Sequence, residues 1–236
     1  MLLQRISLGL FIIPSVTIIL CLITTIYLNI LDLCNPFING CYSISRVGRS
    51  YPAVLLFKPM MTITIILMIT YFFEHYRIFK KFLLNKIFLN LILLSGLVSS
   101  FALLVYIIFL GIEGSEIWRF MRRGGIFIYI ISLIISQFLI ILTYLKIKKD
   151  YQVIISSKII NINFYYNVLL ITCGIIIILL IDIFSLTTPW YIKNIIQWNY
   201  FLLMNLFFLN TYFVFKNKAK LQLFFDIYKL TYLPLC

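Results

Sequence analysis

The chain has 236 residues, of which 63% are hydrophobic and 11% are charged, and its formal net charge is +13. A soluble domain has about 25% charged residues, so this composition excludes an ordinary water-soluble core and indicates a protein solvated by lipid. An excess of basic residues suggests nucleic-acid binding in a soluble protein. In a membrane protein, Lys and Arg residues instead collect in the loops on one side of the membrane and set the orientation of the chain. We therefore expect no nucleic-acid partner.

Six segments are apolar over the roughly 20 residues that a helix needs to cross a bilayer. They predict an all-α polytopic membrane helical bundle forming a single domain, 1–236, with spans at about 8–30, 52–73, 84–110, 124–145, 164–184 and 195–215. The first segment is interpreted as a retained span, because its apolar stretch is longer than that of a signal peptide and no small-residue cleavage site is evident. Pro14 predicts a kink within it.

The tail after the sixth segment, 216–236, has a different pattern. Its polar residues fall between apolar residues that recur at helical spacing. The apolar residues are Leu221, Phe224, Phe225, Tyr228 and Tyr232. This pattern predicts a C-terminal amphipathic helix lying in the membrane interface.

The basic residues divide unequally between the two sides of this six-span arrangement. The side that carries both termini has Arg5, Arg77, Lys80, Lys81, Lys86, Lys146, Lys148, Lys149, Lys158, Lys216, Lys218, Lys220 and Lys229. The other side has Arg46, Arg49, Lys58, Arg119, Arg122, Arg123 and Lys193. Because Lys and Arg accumulate on the cytosolic side, we expect both termini in the cytosol and the loop after the first span in the lumen or outside the cell.

Two cysteines lie in that loop. In an oxidising compartment Cys34 and Cys41 can close a short disulfide loop, with Asn39-Gly40 supplying the turn; in a reducing compartment both are free thiols. No histidine or second cysteine pair accompanies them, so we expect no metal site. The sequence has no nucleotide-binding, serine-hydrolase or zinc-protease motif. We expect no cofactor and no catalytic residue, which favours a protein that is not an enzyme and leaves the question open.

A second polar cluster, 111–125, falls on the same side as that loop. Glu113, Glu116, Arg119 and Arg123 are three, three and four residues apart, so on a helix they line one face and pair as Glu–Arg. The alternative combines both loops into a basic rim for a phospholipid or glycolipid headgroup, because guanidinium groups bind phosphate bidentately. The rim residues are Arg46, Arg49, Arg119, Arg122 and Arg123.

Two single residues, Asp182 and His75, complete the candidates. Together with Ser45, Glu113 and Glu116, Asp182 forms a predicted polar face. Asp182 lies inside an apolar run, where a carboxylate is either functional or paired at the interface. His75, the single histidine, is typical of general acid–base catalysis, but no nucleophile accompanies it.

The loop also resembles a known family. Ile44-Ser45, Gly48, Pro52 and Phe57 are spaced as in the loop after the first span of the DRAM-like six-span proteins, which include the damage-regulated autophagy modulators, the FGF-receptor-activating protein and the suppressor-of-four-kinase protein. The resemblance implies lipid-linked roles and a lumenal loop folded onto the bundle. This chain has Arg46, Val47 and Ala53 where family members often have acidic residues, and it lacks their histidine at the fourth span.

Three functions are therefore open. The first is a non-catalytic DRAM-like protein whose basic face binds or organises membrane lipid. The second is a structural subunit of a larger membrane complex, such as a respiratory assembly, with other membrane subunits as partners. The third, a small transporter or an acyl-transfer enzyme, would need a polar path at the midplane or an activated nucleophile.

Overall fold

A computed structural model describes residues 2–82, 85–111, 116–151, 157–178 and 189–214. These residues form seven α-helices, which we number in chain order. They are α1 (Leu2–Tyr27), α2 (Ile44–Arg49), α3 (Ala53–Lys80), α4 (Lys86–Phe109), α5 (Glu116–Tyr151), α6 (Ser157–Ile178) and α7 (Trp190–Val214). The all-α prediction is confirmed for this part of the chain.

The six long helices form a closed ring. Each of them packs against the long helix before it and the long helix after it, and α1 packs against α7 to close the ring. The short helix α2 contacts α1, α3 and α7. We call the end of the bundle that holds α2 the loop end, and the end between α3 and α4 the opposite end.

Among the described residues, five helices are long and apolar enough to cross a membrane. They are Leu2–Tyr27, Ala53–Lys80, Lys86–Phe109, Glu116–Ile147 and Ile159–Ile176. The sixth predicted span, 195–215, falls on α7, which has 25 residues and is not among these five helices. It contains Asn199, Asn205 and Asn210. The predicted amphipathic tail, 216–236, lies outside the described residues.

The helices extend further than the apolar segments that predicted them. Helix α1 begins at Leu2 instead of 8, and α5 begins at Glu116 instead of 124. Hydropathy marks only the part of a helix that lipid surrounds, whereas the backbone hydrogen bonds continue into the polar flanks. As a result, the charged residues from Glu116 to Arg123 form the first two turns of a spanning helix and not a separate loop.

Glycine allows two of the closest approaches between helices. A Cβ placed on Gly96 of α4 would lie 2.2 Å from the ring of Phe72 of α3. A Cβ placed on Gly125 of α5 would lie 3.0 Å from the carbonyl oxygen of Ala102 of α4. Small residues allow such contact in membrane bundles, where no hydrophobic force drives helices together.

Candidate functional site

Residues 28–43, which we call the capping loop, connect α1 to α2 at the loop end. A disulfide joins Cys34 to Cys41, whose Cα atoms are 6.5 Å apart. Inside this small ring the Asn35 side chain accepts a hydrogen bond from the Phe37 backbone N–H, at 3.0 Å. The Asn35 carbonyl accepts another from the Asn39 N–H, at 2.8 Å. The capping loop therefore has a defined local shape.

The capping loop is fastened to α7 by three side chains that donate to its carbonyl groups. Trp198 Nε1 donates to the Tyr42 carbonyl at 2.8 Å. Two asparagine amides do the same: Asn194 donates to Gly40 at 2.7 Å and Asn199 donates to Phe37 at 3.0 Å. The Trp198 indole is buried, with 1% of its surface exposed, so its N–H has no water to bond to and the contact holds the loop in place.

Helix α2 continues the cap and contains Ile44, Ser45 and Gly48 of the family resemblance, whereas Pro52 immediately precedes α3 and Phe57 lies in its first turns. Ser43 caps its N-terminus by accepting a hydrogen bond from the Arg46 N–H at 3.2 Å. The Ser43 and Ser45 hydroxyl groups lie 3.2 Å apart. A Cβ on Gly48 would lie 2.8 Å from the Phe57 ring, so the glycine lets α2 lie directly on the first turns of α3. The Gly48–Phe57 spacing thus serves the folding of this segment onto the bundle.

Beneath this cap the ring of helices encloses a cavity of about 580 Å³, a volume within the range of ligand pockets. All six long helices contribute to its wall, and Ile44 of α2 contributes from the cap. Representative lining residues are Ile18, Met61, Tyr106, Ile134, Ile171 and Phe201. The wall is largely apolar. The lining side chains with polar groups are Thr64, Tyr106, Tyr129, Lys193, Gln197 and Tyr200.

The cavity is open towards the outside of the bundle on one side. Phe127, Ile131 and Ile135 of α5 and Ile175 of α6 line the cavity and are also exposed, Phe127 by 54% and Ile175 by 51%. In a membrane this surface faces lipid.

Two of the five predicted rim arginines, Arg49 and Arg122, lie within electrostatic range of a residue of the cavity wall, although neither lines the cavity itself. Arg49 and Arg122 both act electrostatically on the hydroxyl of Tyr106, and Tyr106 lines the cavity. Arg49 also borders the end of α4, because its Cβ lies 3.7 Å from where a Cβ on Gly111 would be. Of the basic residues at the loop end, Lys193 therefore lines the cavity, and Arg49 and Arg122 lie within electrostatic range of its wall.

The other rim arginines have different surroundings. Arg46 lies over the ring of Tyr42 at 5.2 Å, in a cation–π contact. Arg119 pairs with Glu116 at 3.6 Å, and both side chains are exposed, so this ion pair adds about 0–1 kcal/mol to stability. Arg123 is exposed on the same helix. The other two polar-face candidates, Glu113 and Asp182, lie outside the described residues.

A second polar arrangement, which the sequence did not reveal, links α3, α5 and α7 nearer the opposite end. His75 Nδ1 lies 2.9 Å from the Tyr71 carbonyl oxygen, and His75 Nε2 lies 2.7 Å from the Tyr144 hydroxyl. A carbonyl oxygen only accepts, so Nδ1 carries the proton, and Nε2 of the neutral ring accepts from Tyr144. The Tyr71 hydroxyl lies 3.2 Å from Thr211 Oγ1.

These four side chains are completely or almost completely buried. Thr211 donates its own hydrogen to the Phe207 carbonyl at 3.0 Å, so Tyr71 is the donor of the Tyr71–Thr211 contact. The single histidine is therefore held by hydrogen bonds inside the bundle, where it connects helices. The sequence signal was limited to one histidine near a helix end. Its partner Tyr144 is 69 residues away, and Thr211 is 140 residues from its partner Tyr71.

Within the described ranges, no group of three or more His, Cys, Asp or Glu side chains is arranged to hold a metal ion. No protein-family model, curated protein or solved structure matches the chain.

Proposed function

We propose that this protein is a non-catalytic, multi-pass membrane protein that binds a lipid, with an acyl chain in the cavity and an anionic headgroup at the basic residues of the loop end. The observation that carries the proposal is that Tyr106 lines the cavity and lies within electrostatic range of Arg49 and Arg122, while Lys193 lines the cavity directly. An apolar space thus has basic residues near its loop end. Phospholipids and acidic glycolipids combine the same two chemistries.

The energetic basis of binding is the transfer of the acyl chain from one apolar surrounding to another, so the cavity itself provides little preference over the bilayer. Selectivity then depends on the headgroup. A phosphate that accepts hydrogen bonds from guanidinium groups forms charge-assisted contacts, each about 1.5–3 kcal/mol. Lys193, at the cavity wall, adds a third cation.

The orientation proposed with this function puts the loop end in the lumen or outside the cell and both termini in the cytosol. The Cys34–Cys41 disulfide supports it, since such bonds persist in oxidising compartments. The position of α7 between α6 and α1 supports its assignment as the sixth span. The DRAM-like resemblance remains our family hypothesis, and the contact of Gly48 with Phe57 supports a structural role for its motif.

Native mass spectrometry of the purified protein tests the headgroup site. Replacing Arg49, Arg122 and Lys193 with Gln should reduce retention of phosphatidylserine or phosphatidylglycerol by about tenfold or more, since 1.4 kcal/mol corresponds to tenfold. Retention of phosphatidylcholine should change less. The matched control replaces Arg5, Lys80 and Lys146, at the opposite end, with Gln and should leave anionic-lipid retention unchanged.

A second pair of variants tests the cavity. Ile134 lines the cavity, whereas Ile128 of the same helix is exposed and outside its wall. Ile134→Trp should fill the space and lower retention of every lipid, and Ile128→Trp should not. Equal retention by wild type, Ile134→Trp and the arginine variants would refute lipid binding at this site. Stoichiometric protein partners in place of lipid would instead favour a subunit of a larger complex.

A further inference from the structure

Four side-chain amides lie buried inside the bundle, and no motif or predicted site included them as a group. They are Gln137 of α5, Asn163 and Asn167 of α6, and Asn205 of α7. None of the four has more than 3% of its surface exposed. We call them the amide junction.

Three contacts between helices place these amides at one level of the bundle. Gln137 Nε2 donates to the carbonyl of Met204, the residue before Asn205, at 3.3 Å. The Phe138 and Phe164 rings, which follow Gln137 and Asn163, stack with centroids 6.4 Å apart. The hydroxyl of Tyr166, the residue before Asn167, donates to the Leu203 carbonyl. The amide junction is therefore where α5, α6 and α7 meet.

Each amide has a polar atom that is buried and has no hydrogen-bond partner: Gln137 Oε1, Asn163 Oδ1, Asn167 Oδ1 and Asn205 Nδ2. Rotating the amides does not remove the problem. The Gln137 NH₂ group already donates to Met204, and the Asn167 NH₂ group donates to the Asn163 carbonyl at 3.2 Å. Both side-chain oxygens are thereby fixed as acceptors, and three oxygens and the Asn205 NH₂ group are left without a partner.

Lipid cannot supply the missing hydrogen bonds, because hydrocarbon has neither donors nor acceptors. The occupant must be small, neutral or weakly charged, and able both to donate and to accept. A cation such as Ca²⁺ or Mg²⁺ takes about six or more oxygens, with carboxylates among them, whereas the unpaired oxygens here are three and all neutral. Water fits, because a buried water binds two to four polar groups.

We propose that the amide junction is a water-binding site inside the bilayer, in which bound water donates to Gln137 and Asn167 and accepts from Asn205. The site lies next to the cavity, since Met204 accepts from Gln137 and also lines the cavity wall. It does not depend on the cavity's holding a lipid. Its role is to satisfy a polar contact between three helices that would otherwise be unpaired in hydrocarbon.

Infrared spectroscopy of the protein in lipid nanodiscs detects such water directly. After exchange into H₂¹⁸O, an O–H stretching band of bound water should shift in the wild-type protein. The band should be lost in Asn167→Leu and in Gln137→Met, which keeps the side-chain length. It should persist in Asn90→Leu, the matched control, because Asn90 is exposed on α4. The absence of an isotope-sensitive band in the wild type would overturn the proposal.

Thermal unfolding gives an independent result. If water fills the junction, Asn167→Leu and Gln137→Met remove its ligands and should lower the unfolding midpoint by about 3–6 °C. If the junction is dry, each change removes one unpaired oxygen together with one hydrogen bond, so the two effects offset each other; a midpoint equal to that of the wild type would overturn the proposal. A midpoint that increases with Na⁺ but not with choline would assign the site to a cation and overturn the water assignment.

Discussion

Replacing Gly40 with alanine tests how the capping loop meets α7. Gly40 has φ of +62°, a conformation that costs an L-residue about 1–2 kcal/mol. The new Cβ would also lie 1.9 Å from the carbonyl oxygen of Tyr191. Backbone atoms cannot rotate away, so the loop must move and weaken the 2.7 Å bond from Asn194 to the Gly40 carbonyl, which contributes about 0.5–1.5 kcal/mol.

These contributions predict that Gly40→Ala destabilises the protein by about 2–4 kcal/mol, or about 5–15 °C in the unfolding midpoint. The assay is thermal unfolding in detergent, followed by the fluorescence of the tryptophans. The matched control is Gly124→Ala, since a Cβ on Gly124 meets nothing within 4 Å. That change should raise the midpoint by about 2–4 °C, because alanine favours the helix by about 1 kcal/mol. A Gly40→Ala midpoint equal to that of the wild type would refute the tight contact between the loop and α7.

Two further perturbations test the disulfide and the histidine contacts. Reduction of the Cys34–Cys41 disulfide should lower the unfolding midpoint by the equivalent of about 2–3 kcal/mol, the value for so short a loop. The double variant with serine at both positions should not respond to reductant. If reductant left the wild-type midpoint unchanged, the disulfide would have no stabilising role. Tyr144→Phe removes the donor to His75 Nε2 and should cost about 1–3 kcal/mol. In a double-mutant cycle with His75→Phe the two losses should be clearly non-additive; additive losses would show that the hydrogen bond does not couple α3 to α5.

The helical architecture followed from the sequence because hydropathy reports directly on the solvent around a segment. The ends of the helices could not be predicted in the same way, because a helix extends beyond its apolar part; α5, for example, already begins at Glu116. The candidate site was predicted in part. Basic residues on one side were visible from the charge pattern, but the approach of Arg49 and Arg122 to Tyr106 depends on how α2, α4 and α5 pack.

The cavity and the amide junction could not be predicted, because both are created by the closing of the ring. A signal for the junction did exist in α6, where Asn163 and Asn167 are four residues apart and therefore share one face. Nothing local shows that this face meets Gln137 and Met204. His75 was a weak candidate for the same reason, since its partner Tyr144 comes from a helix two connections later.

The fastening of the capping loop to α7 has a consequence for how the protein is made. Trp198 follows its partner Tyr42 by 156 residues, which is about 10–30 s of synthesis at cellular rates. The Cys34–Cys41 bond closes over a separation of only 7 residues and needs nothing that comes later in the chain. The nascent loop can thus be shaped by oxidation while the other helices insert, and α7 then docks against a preformed surface as the last helix of the ring.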